Sequence, residues 1–339
     1  MPSLDHMLLK KILPQRVKYF CYKVLSIKEI LLVFVKDAVR YLKYSSTIGR
    51  RSRGNLRSLI VIDYHRIEKG LSLPRPKYAF GKQVIENLLS NCNIFLDRFG
   101  NDWVLDQSAS ALETYFKEFS GSDELVQHKA NFDLLRSRIA ETKAQQFGPT
   151  KTVAKDDLLN KCDFDFDSFY CSRYSIRDFS YKDVGDEVVK KALSLAMRAP
   201  SVCNRQPWRV IDIKSQSKIQ KVCSVQGGSR GFAEAINRLL VIAVDLQEFY
   251  IVGERNEAWV DGGIFLQSVL ISLHAQGVGA CPLNWCVGTH SDFRLRQMCP
   301  ELEPSCVVIA LVGIGSLKDE FKVAQSARRP LEEIYFKSP

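Results

Sequence analysis

Three residues with one-residue gaps form the clearest candidate binding site in the sequence: Arg173, Ser175 and Arg177. In an extended segment, side chains alternate with period two, so all three would point to the same side. Two guanidinium groups give permanently charged, bidentate contacts to a phosphate, and the hydroxyl adds a neutral donor. A solvated loop would have the same composition, and the arginines alone do not separate the two interpretations.

A second motif follows after one amphipathic helix that contains Val188, Leu193 and Ala196. Taken together, the two motifs read Arg-x-Ser-x-Arg-x-Phe and then Ala-Pro-Ser-x-x-Asn-x-Gln-Pro-Trp. This ordered pair resembles the opening of the nitroreductase family of FMN-dependent oxidoreductases. An ordinary helix-to-strand turn ending in a core tryptophan is the alternative for Pro200 to Trp208.

Two later segments add to the resemblance. AWVDGGIFLQSVLISLHAQGVGACPLNW, residues 258–285, is similar to the long central helix of the family and the loop after it. SARRPLEE, residues 326–333, is similar to its C-terminal basic motif. The resemblance covers about residues 168–335, and the preceding 160 residues do not belong to the usual family core.

The resemblance implies an α+β fold, in which helices flank a central, mostly antiparallel sheet, and an intertwined homodimer with two FMN molecules at the subunit interface. The FMN phosphate and ribityl chain would meet Arg173, Ser175 and Arg177. Arg328 would close the phosphate site, or Arg329 under a one-residue shift. The isoalloxazine ring would lie between two segments, Pro200, Ser201 and Asn204 of the other subunit and Pro282, Leu283 and Asn284, the latter with a backbone N–H near N5.

The implied activity is ping-pong hydride transfer through flavin N5, from transiently bound NAD(P)H to a nitro, quinone or similar electron-poor small molecule. Because the flavin carries the redox chemistry, we expect no protein side chain with a catalytic acid–base role. No G-x-G-x-x-G or G-x-x-x-x-G-K-S/T motif competes as a phosphate loop. Two alternatives stay open: an FMN-dependent dehydrogenase acting on a specialised biosynthetic substrate, and a flavin-fold scaffold that serves as a membrane-surface or complex-forming protein.

The elements that would position these residues are predicted by hydrophobic periodicity. Residues Trp208–Ile213, Leu239–Val244 and Cys306–Val312 are expected to be strands, the last two buried on both faces. Ala258–Gln276 is expected to be a helix. Its Gly262-Gly263 pair suggests close packing against a backbone or a flat ligand, most simply at a dimer axis.

The N-terminal segment, residues 1–58, is predicted to form a basic amphipathic helix. Residues 1–60 hold thirteen Lys or Arg and three Asp or Glu, so the remaining 35 basic and 35 acidic residues balance. The helix would cover about twenty-six residues. One interpretation packs it on its own protein or on a dimer partner, and the other lays residues 15–44 on an anionic membrane. Its apolar stripe comprises Val17, Phe20, Val24, Ile27, Leu31, Phe34, Ala38 and Tyr41.

Residues 59–145 form the next predicted region, which is helical after an ordered loop at 59–81. If part of that loop is helical, His65 and Glu68 lie on one face and can pair, as an active-site couple or as a simple ion pair. Gly70 would then cap the helix. A connection at 146–167 leads to the FMN domain, residues 168–339.

Bulk composition narrows the protein class. The chain has 339 residues, of which 46% are hydrophobic and 25% charged, and contains no run of eighteen uncharged apolar residues. The ten cysteines lack the spacing of a zinc site, so we expect buried thiols and no metal. Because the excess charge sits in one segment, we expect no nucleic-acid partner. The predicted location is the cytoplasm, with membrane association only through the basic helix.

Overall fold

The computed structural model describes residues 15–73, 79–140 and 148–338. The N-terminal part of this described chain is helical, as predicted, and the first helix has 30 residues, slightly more than expected. Phe20 of the predicted stripe and residues 74–78 of the predicted loop lie outside the described side chains and residues. The helices are α1 (Gln15–Tyr44), α2 (Arg53–Ser72), α3 (Lys82–Phe99), α4 (Trp103–Glu118) and α5 (Val126–Arg138).

The C-terminal part combines helices with one sheet, so the predicted α+β class is confirmed. Two short helices precede the Arg173 segment, and the four strands alternate with longer helices. These elements are α6 (Lys155–Asn160), α7 (Phe166–Cys171), α8 (Asp186–Ala196), β1 (Trp208–Ile213), α9 (Gln216–Gln226), β2 (Arg238–Asp245), α10 (Glu257–Ala275), β3 (Val278–Asn284), α11 (Thr289–Met298) and β4 (Cys306–Ser316).

The sheet has the order β1-β2-β4-β3 and is antiparallel throughout. The two central strands are those with continuous apolar runs, and every residue of β2 is buried. Because neighbouring side chains point to opposite faces, these strands supply two separate hydrophobic cores, one on each side of the sheet. The three predicted strands are therefore confirmed.

Strand β3 corrects the sequence analysis, which assigned residues 277–285 to a loop. The segment pairs with β4 along its length, with Pro282 opposite Val312. Proline lacks a backbone donor, and it is tolerated here because β3 lies at the edge of the sheet. The predicted loop is therefore part of the scaffold.

Helix α10 lies across the sheet, and its two glycines differ in environment. A Cβ on Gly262 would lie 2.5 Å from a side-chain atom of Ile309, whereas a Cβ on Gly263 would meet nothing within 4 Å. Gly262 therefore permits close packing on sheet side chains and not on a backbone or a flat ligand, which corrects that expectation. In the described chain, α10 is the one helix long and apolar enough to span a bilayer, and 44% of an 18-residue stretch of it is buried within the protein.

The helices α2 to α5 form a separate core that contains Leu56, Phe95, Leu112 and Tyr115. Helix α2 corrects the predicted loop at 59–81, because it continues through Gly70 to Ser72. A capping box between Ser52 and Asn55 fixes its start. Gly70 is not the cap: the ring of Phe80 occupies the space that a Cβ would need.

The helical region docks on the sheet domain through α2. Ser58 Oγ donates to the carbonyl of Glu248 at 2.7 Å, and Asn55 Nδ2 donates to the carbonyl of Gln247 at 2.9 Å. Both acceptors lie in the turn Leu246–Glu248 at the end of β2. The same helix also contacts the turn Val202–Asn204, which belongs to the second sequence motif.

Candidate functional site

A cleft of about 580 Å³ lies where the Arg173 segment, α10 and the C-terminal tail meet. Three of the predicted phosphate ligands line it, namely Arg173, Ser175 and Arg328. Two guanidinium groups and a hydroxyl at one cleft form a donor set suited to a phosphate. The other lining residues are Tyr170, Cys171, Tyr174, Gln267, Ala324, Gln325 and Ser326.

The Arg173 segment is fixed to the free edge of β3. Ser175 forms a parallel bridge with Ala280, and the backbone N–H of Ile176 donates to the carbonyl of Ala280 at 3.0 Å. Ile176 is buried in the core while its neighbour Ser175 lines the cleft. Tyr174 lines the cleft as well and Arg177 does not, so the strict alternation predicted for this segment is not observed. Pro282 follows Ala280 by two residues, about 7 Å along the strand. Strand β3 therefore contains the predicted segment Pro282–Asn284 and pairs with the Arg173 segment.

Arg177 lies outside this cleft. Its guanidinium Nη1 donates to the carbonyl of Ser175 at 3.2 Å, and the side chain is exposed. Its charge acts on the neighbouring strand: burial raises the pKa of Cys281, and Arg177 opposes that shift. The structure therefore brings together two of the three residues of the predicted anion receptor and holds the third beside β3.

The C-terminal tail separates the two candidate arginines of the basic motif. Arg328 lines the cleft and donates to the carbonyl of Ser326, a residue with a left-handed φ of 53°. Arg329 instead approaches Glu333 at 3.9 Å. Of the two candidate arginines, Arg328 is therefore the one at the cleft.

The turn after α8, which carries the Ala-Pro-Ser and Asn motif, has a strained backbone. Cys203, Asn204 and Gln206 have φ values of 49°, 54° and 52°, a region that residues with a Cβ rarely adopt. Ser201 Oγ accepts a hydrogen bond from the N–H of Gln206 at 3.0 Å across the turn. Such strain persists only where surrounding contacts fix it, and it concentrates at functional sites.

Two carboxylates that the sequence analysis missed hold this turn. The N–H of Val202 donates to Asp261 at 3.1 Å, and burial raises the pKa of Asp261 to about 6. Arg205 makes a bidentate pair with Glu254, at 2.7 and 3.0 Å. Asp261 stands directly before the glycine pair of α10, but only the fold reveals that it faces the turn.

The residues predicted to flank the isoalloxazine do not line the cleft that Arg173 and Arg328 share. Pro200 and Asn204 are exposed. Pro282 is half-buried and Asn284 exposed, whereas the Leu283 side chain belongs to the core. The side chain of Leu283 is therefore not available to a ligand.

An exposed apolar stripe on α10 leads to the cleft. Trp259, Val260 and Ile264 are exposed large side chains on the helix, and Gln267, one turn further, lines the cleft. These positions recur at helical spacing and lie on the side of α10 that faces away from the sheet. The stripe is thus an exposed apolar surface next to the cleft.

His65 and Glu68 form the predicted pair, with 2.9 Å between Nδ1 and Oε2. Both side chains are partly exposed on α2 and lie outside the Arg173 cleft. The structure therefore favours the interpretation as a local ion pair.

Comparisons with known proteins agree with the motifs. The sequence model of the nitroreductase family matches residues 171–239, which contain both opening motifs. A relative from Archaeoglobus fulgidus with the provisional name NADH dehydrogenase/NAD(P)H nitroreductase is 27% identical over 44% of this chain and 83% of its own. An NADH dehydrogenase from Thermus thermophilus is 27% identical over 48% of this chain and 90% of its own.

Two solved structures are also similar to the C-terminal half. One is an FMN-dependent nitroreductase from Clostridium difficile R20291, with 21% identity, a TM-score of 0.42, and coverage of 50% of this chain and 98% of that chain. The other is a nitroreductase family protein from Streptococcus pneumoniae TIGR4, with 18% identity, a TM-score of 0.44, and coverage of 51% and 100%.

The resemblance to the nitroreductase family is thus confirmed for the C-terminal half of the chain, where the family match and the two relatives coincide. The helical N-terminal region precedes the matched residues and is an addition to that fold.

Proposed function

We propose that the protein is an FMN-dependent oxidoreductase that uses NAD(P)H to reduce an electron-poor small molecule of the nitro or quinone type. The observation that carries this proposal is the cleft in which Arg173, Ser175 and Arg328 converge from two distant parts of the chain. The names of the relatives, NADH dehydrogenase and NAD(P)H nitroreductase, support the same class.

The donor set of the cleft fits the phosphate end of FMN. A phosphate dianion needs about two positive charges, which Arg173 and Arg328 supply, and Ser175 adds a hydroxyl donor. Arg177, next to the cleft on the same extended segment, adds a third charge. When bound, FMN would supply the hydride transfer between nicotinamide and acceptor.

The chain's own residues would orient the cofactor and supply no acid–base pair. Pro282, Leu283 and Asn284 would offer backbone groups along β3, whose pairing with β4 makes that segment rigid. Pro200, Ser201 and Asn204 would approach from a second subunit. Their strained turn is fixed by Asp261 and by Arg205, so it is preorganised before any ligand arrives.

We propose a homodimer in which the exposed stripe of α10 packs on its counterpart. Trp259, Val260 and Ile264 are apolar, and Gly263 leaves room for a close approach. We propose the cytoplasm as its location, because the nine cysteines of the described chain are all free thiols. The domain limits 1–58, 59–145, 146–167 and 168–339 are retained as part of the proposal.

We further propose a narrow acceptor range, because α2 contacts the turn Val202–Asn204 and thereby adds a wall that the family core lacks. The expected result is that turnover numbers on unrelated nitroaromatics and quinones differ by more than about tenfold. Steady-state kinetics on such a panel tests this, and equal turnover on all compounds would contradict it.

The test of the main proposal is the absorbance spectrum of the purified protein. Oxidised flavin absorbs near ~370 and ~450 nm, and extraction followed by mass analysis identifies FMN. Arg173→Ala and Arg328→Ala should each weaken FMN binding by at least about tenfold, because each removes a charge-assisted hydrogen bond. Arg329→Ala is the matched control and should retain flavin. A colourless protein that also takes up no added FMN would overturn the proposal.

A further inference from the structure

Helix α1 exposes many large apolar side chains to solvent. In its central run Ile30–Val35, six consecutive apolar residues are each between 43% and 70% exposed. A contiguous apolar surface of this size marks an interaction site. The exposed apolar residues of the helix are Val17, Val24, Ile27, Ile30, Leu31, Leu32, Val33, Phe34, Val35, Val39 and Leu42.

The face of α1 that meets its own protein is mostly polar. Arg40 pairs with Asp292 at 3.4 Å, and Tyr41 donates its hydroxyl to the carbonyl of Ile251 at 2.6 Å. Lys36 and Asp37 line the narrow cleft between the helix and the protein, together with Val33, Trp259 and Trp285. The stripe predicted from the sequence therefore divides, since Tyr41 at its edge turns toward the protein.

The opposite face of α1 is apolar. At about 100° per residue, Val24, Leu31, Val35, Val39 and Leu42 fall within an arc of about 80°, centred roughly opposite Arg40 and Asp37. All five side chains are exposed. The helix thus docks through the side that carries Arg40 and Asp37, to which Val33 adds one apolar contact, whereas the five apolar side chains opposite are exposed.

The charge of α1 distinguishes between two possible partners of its apolar face, a second copy of the chain and an anionic lipid surface. From Gln15 to Tyr44 the helix has seven basic residues and two acidic ones, a net charge of +5. A second copy would bring an identical +5 helix, and residues 61–339, with 35 basic and 35 acidic residues, have no net negative charge to offset it. A surface of anionic lipid complements both the charge and the apolar arc.

We propose that α1 lies in the headgroup layer of an anionic bilayer, with Val24, Leu31, Val35 and Val39 directed into the acyl region. Lys28, which stands within the apolar arc, would extend its ammonium group back to the lipid phosphates. The polar face would then hold the rest of the protein at the surface through Arg40 and Tyr41. This inference concerns residues outside the cleft and does not depend on the proposed function.

The test is flotation of the full-length protein with phosphatidylcholine vesicles that contain or lack phosphatidylglycerol. Wild type should float with the anionic vesicles only, and high salt should weaken the binding. Leu31→Gln together with Val35→Gln should reduce the partition coefficient by at least about tenfold, because two buried aliphatic side chains are lost. Lys28→Gln should reduce it by about fivefold.

The matched control is Leu158→Gln with Leu159→Gln, which removes two exposed leucines from α6 and should leave binding unchanged. Circular dichroism establishes that each variant keeps its helices. Equal binding to neutral vesicles, or wild-type binding by the Leu31/Val35 variant, would overturn the proposal. Failure of the wild type to float with anionic vesicles would also overturn it. If, in addition, the Leu31/Val35 variant forms a smaller oligomer than wild type in analytical ultracentrifugation, the apolar face belongs to a contact with a second copy of the chain.

Discussion

At the residue scale, the structure separates groups that would meet a ligand from groups that hold them. Arg173 and Arg328 line the cleft, while Arg205 is fully buried behind the strained turn and paired with Glu254. All are arginines within or near the sequence motifs, and nothing in their local sequence distinguishes the roles. Burial does, because a guanidinium without solvent access must have a fixed carboxylate partner.

Arg205→Ala should therefore destabilise the protein strongly. It leaves Glu254, whose side chain is 10% exposed, without its bidentate partner, and the loss of one member of a buried pair costs about 3–5 kcal/mol. Urea denaturation measures the difference. Lys190→Ala, which removes the partner of exposed Glu187 on α8, is the control and should leave the urea midpoint almost unchanged, because an exposed ion pair contributes little to stability. Equal effects of the two substitutions would contradict the assigned burial.

At the element scale, hydrophobic pattern predicted most of the scaffold but missed where context overrides it. The continuous runs of β2 and β4 identified buried strands correctly. The sequence VGACPLN did not identify β3, because proline argues against a strand unless the strand is known to lie at an edge. Gly70 likewise argued for a helix end, whereas in the structure the ring of Phe80 occupies the space that a Cβ at this position would need, and α2 ends at Ser72.

The candidate site was predictable to the same degree. Arg173, Ser175 and Arg328 could be named because their motifs are local and ordered along the chain. Asp261 and Glu254 could not, since their function depends on tertiary contacts with Val202 and Arg205. The residues that line the cleft could thus be named from motifs, whereas the carboxylates that hold the neighbouring turn are visible only in the fold.

The two glycines of α10 provide a test within a single helix. Gly262→Ala should lower the free energy of unfolding by about 1–3 kcal/mol, since the new methyl group would lie 2.5 Å from Ile309 and force the side chains to repack. Gly263→Ala has open space and should leave the stability of the isolated chain equal or raise it by up to about 1 kcal/mol, from helix propensity. Thermal unfolding of both variants measures this. A tolerated Gly262→Ala would contradict the close packing of α10 on the sheet.

At the scale of the whole molecule, the contact between the helical region and the sheet domain should depend on pH. Glu248 lies in the turn Leu246–Glu248, to which α2 is hydrogen-bonded. Burial raises the pKa of Glu248 from an ordinary 4.5 to about 8, and nearby Asp245 adds to the shift. The folded protein then holds this proton more tightly than the unfolded chain does. Stability from this group is fully present below about pH 4.5 and decreases as the pH rises toward 8.

Glu248→Gln should therefore flatten the stability profile between about pH 5 and 8, since the amide does not titrate. Denaturant midpoints across that range provide the measurement. Asp63 and Asp261, whose pKa values burial raises to about 6, contribute a residual slope at the acidic end in both proteins. A wild-type profile that rises from pH 5 to 8 would contradict the prediction.

The same contact implies that the cofactor site and the helical region are coupled. Helix α2 contacts the turn Val202–Asn204 and donates a hydrogen bond to the turn Leu246–Glu248. Local unfolding of α2 therefore breaks its contacts with both turns. Whatever stabilises the first turn should also stabilise α2. FMN at about one hundred times its Kd adds about 2.7 kcal/mol to the folded state.

Hydrogen exchange of the full-length protein with and without FMN tests this coupling. Amides of α2 should exchange more slowly when FMN is present, although the proposed phosphate site lies in the C-terminal sheet domain and α2 belongs to the helical region. The same measurement on Arg328→Ala, at an FMN concentration that leaves its site empty, should show no change. If FMN protects the Arg173 segment and the turn at 202–204 but leaves α2 unaffected, the two regions open independently. In that case the helical region is an appendage with no energetic connection to the cofactor.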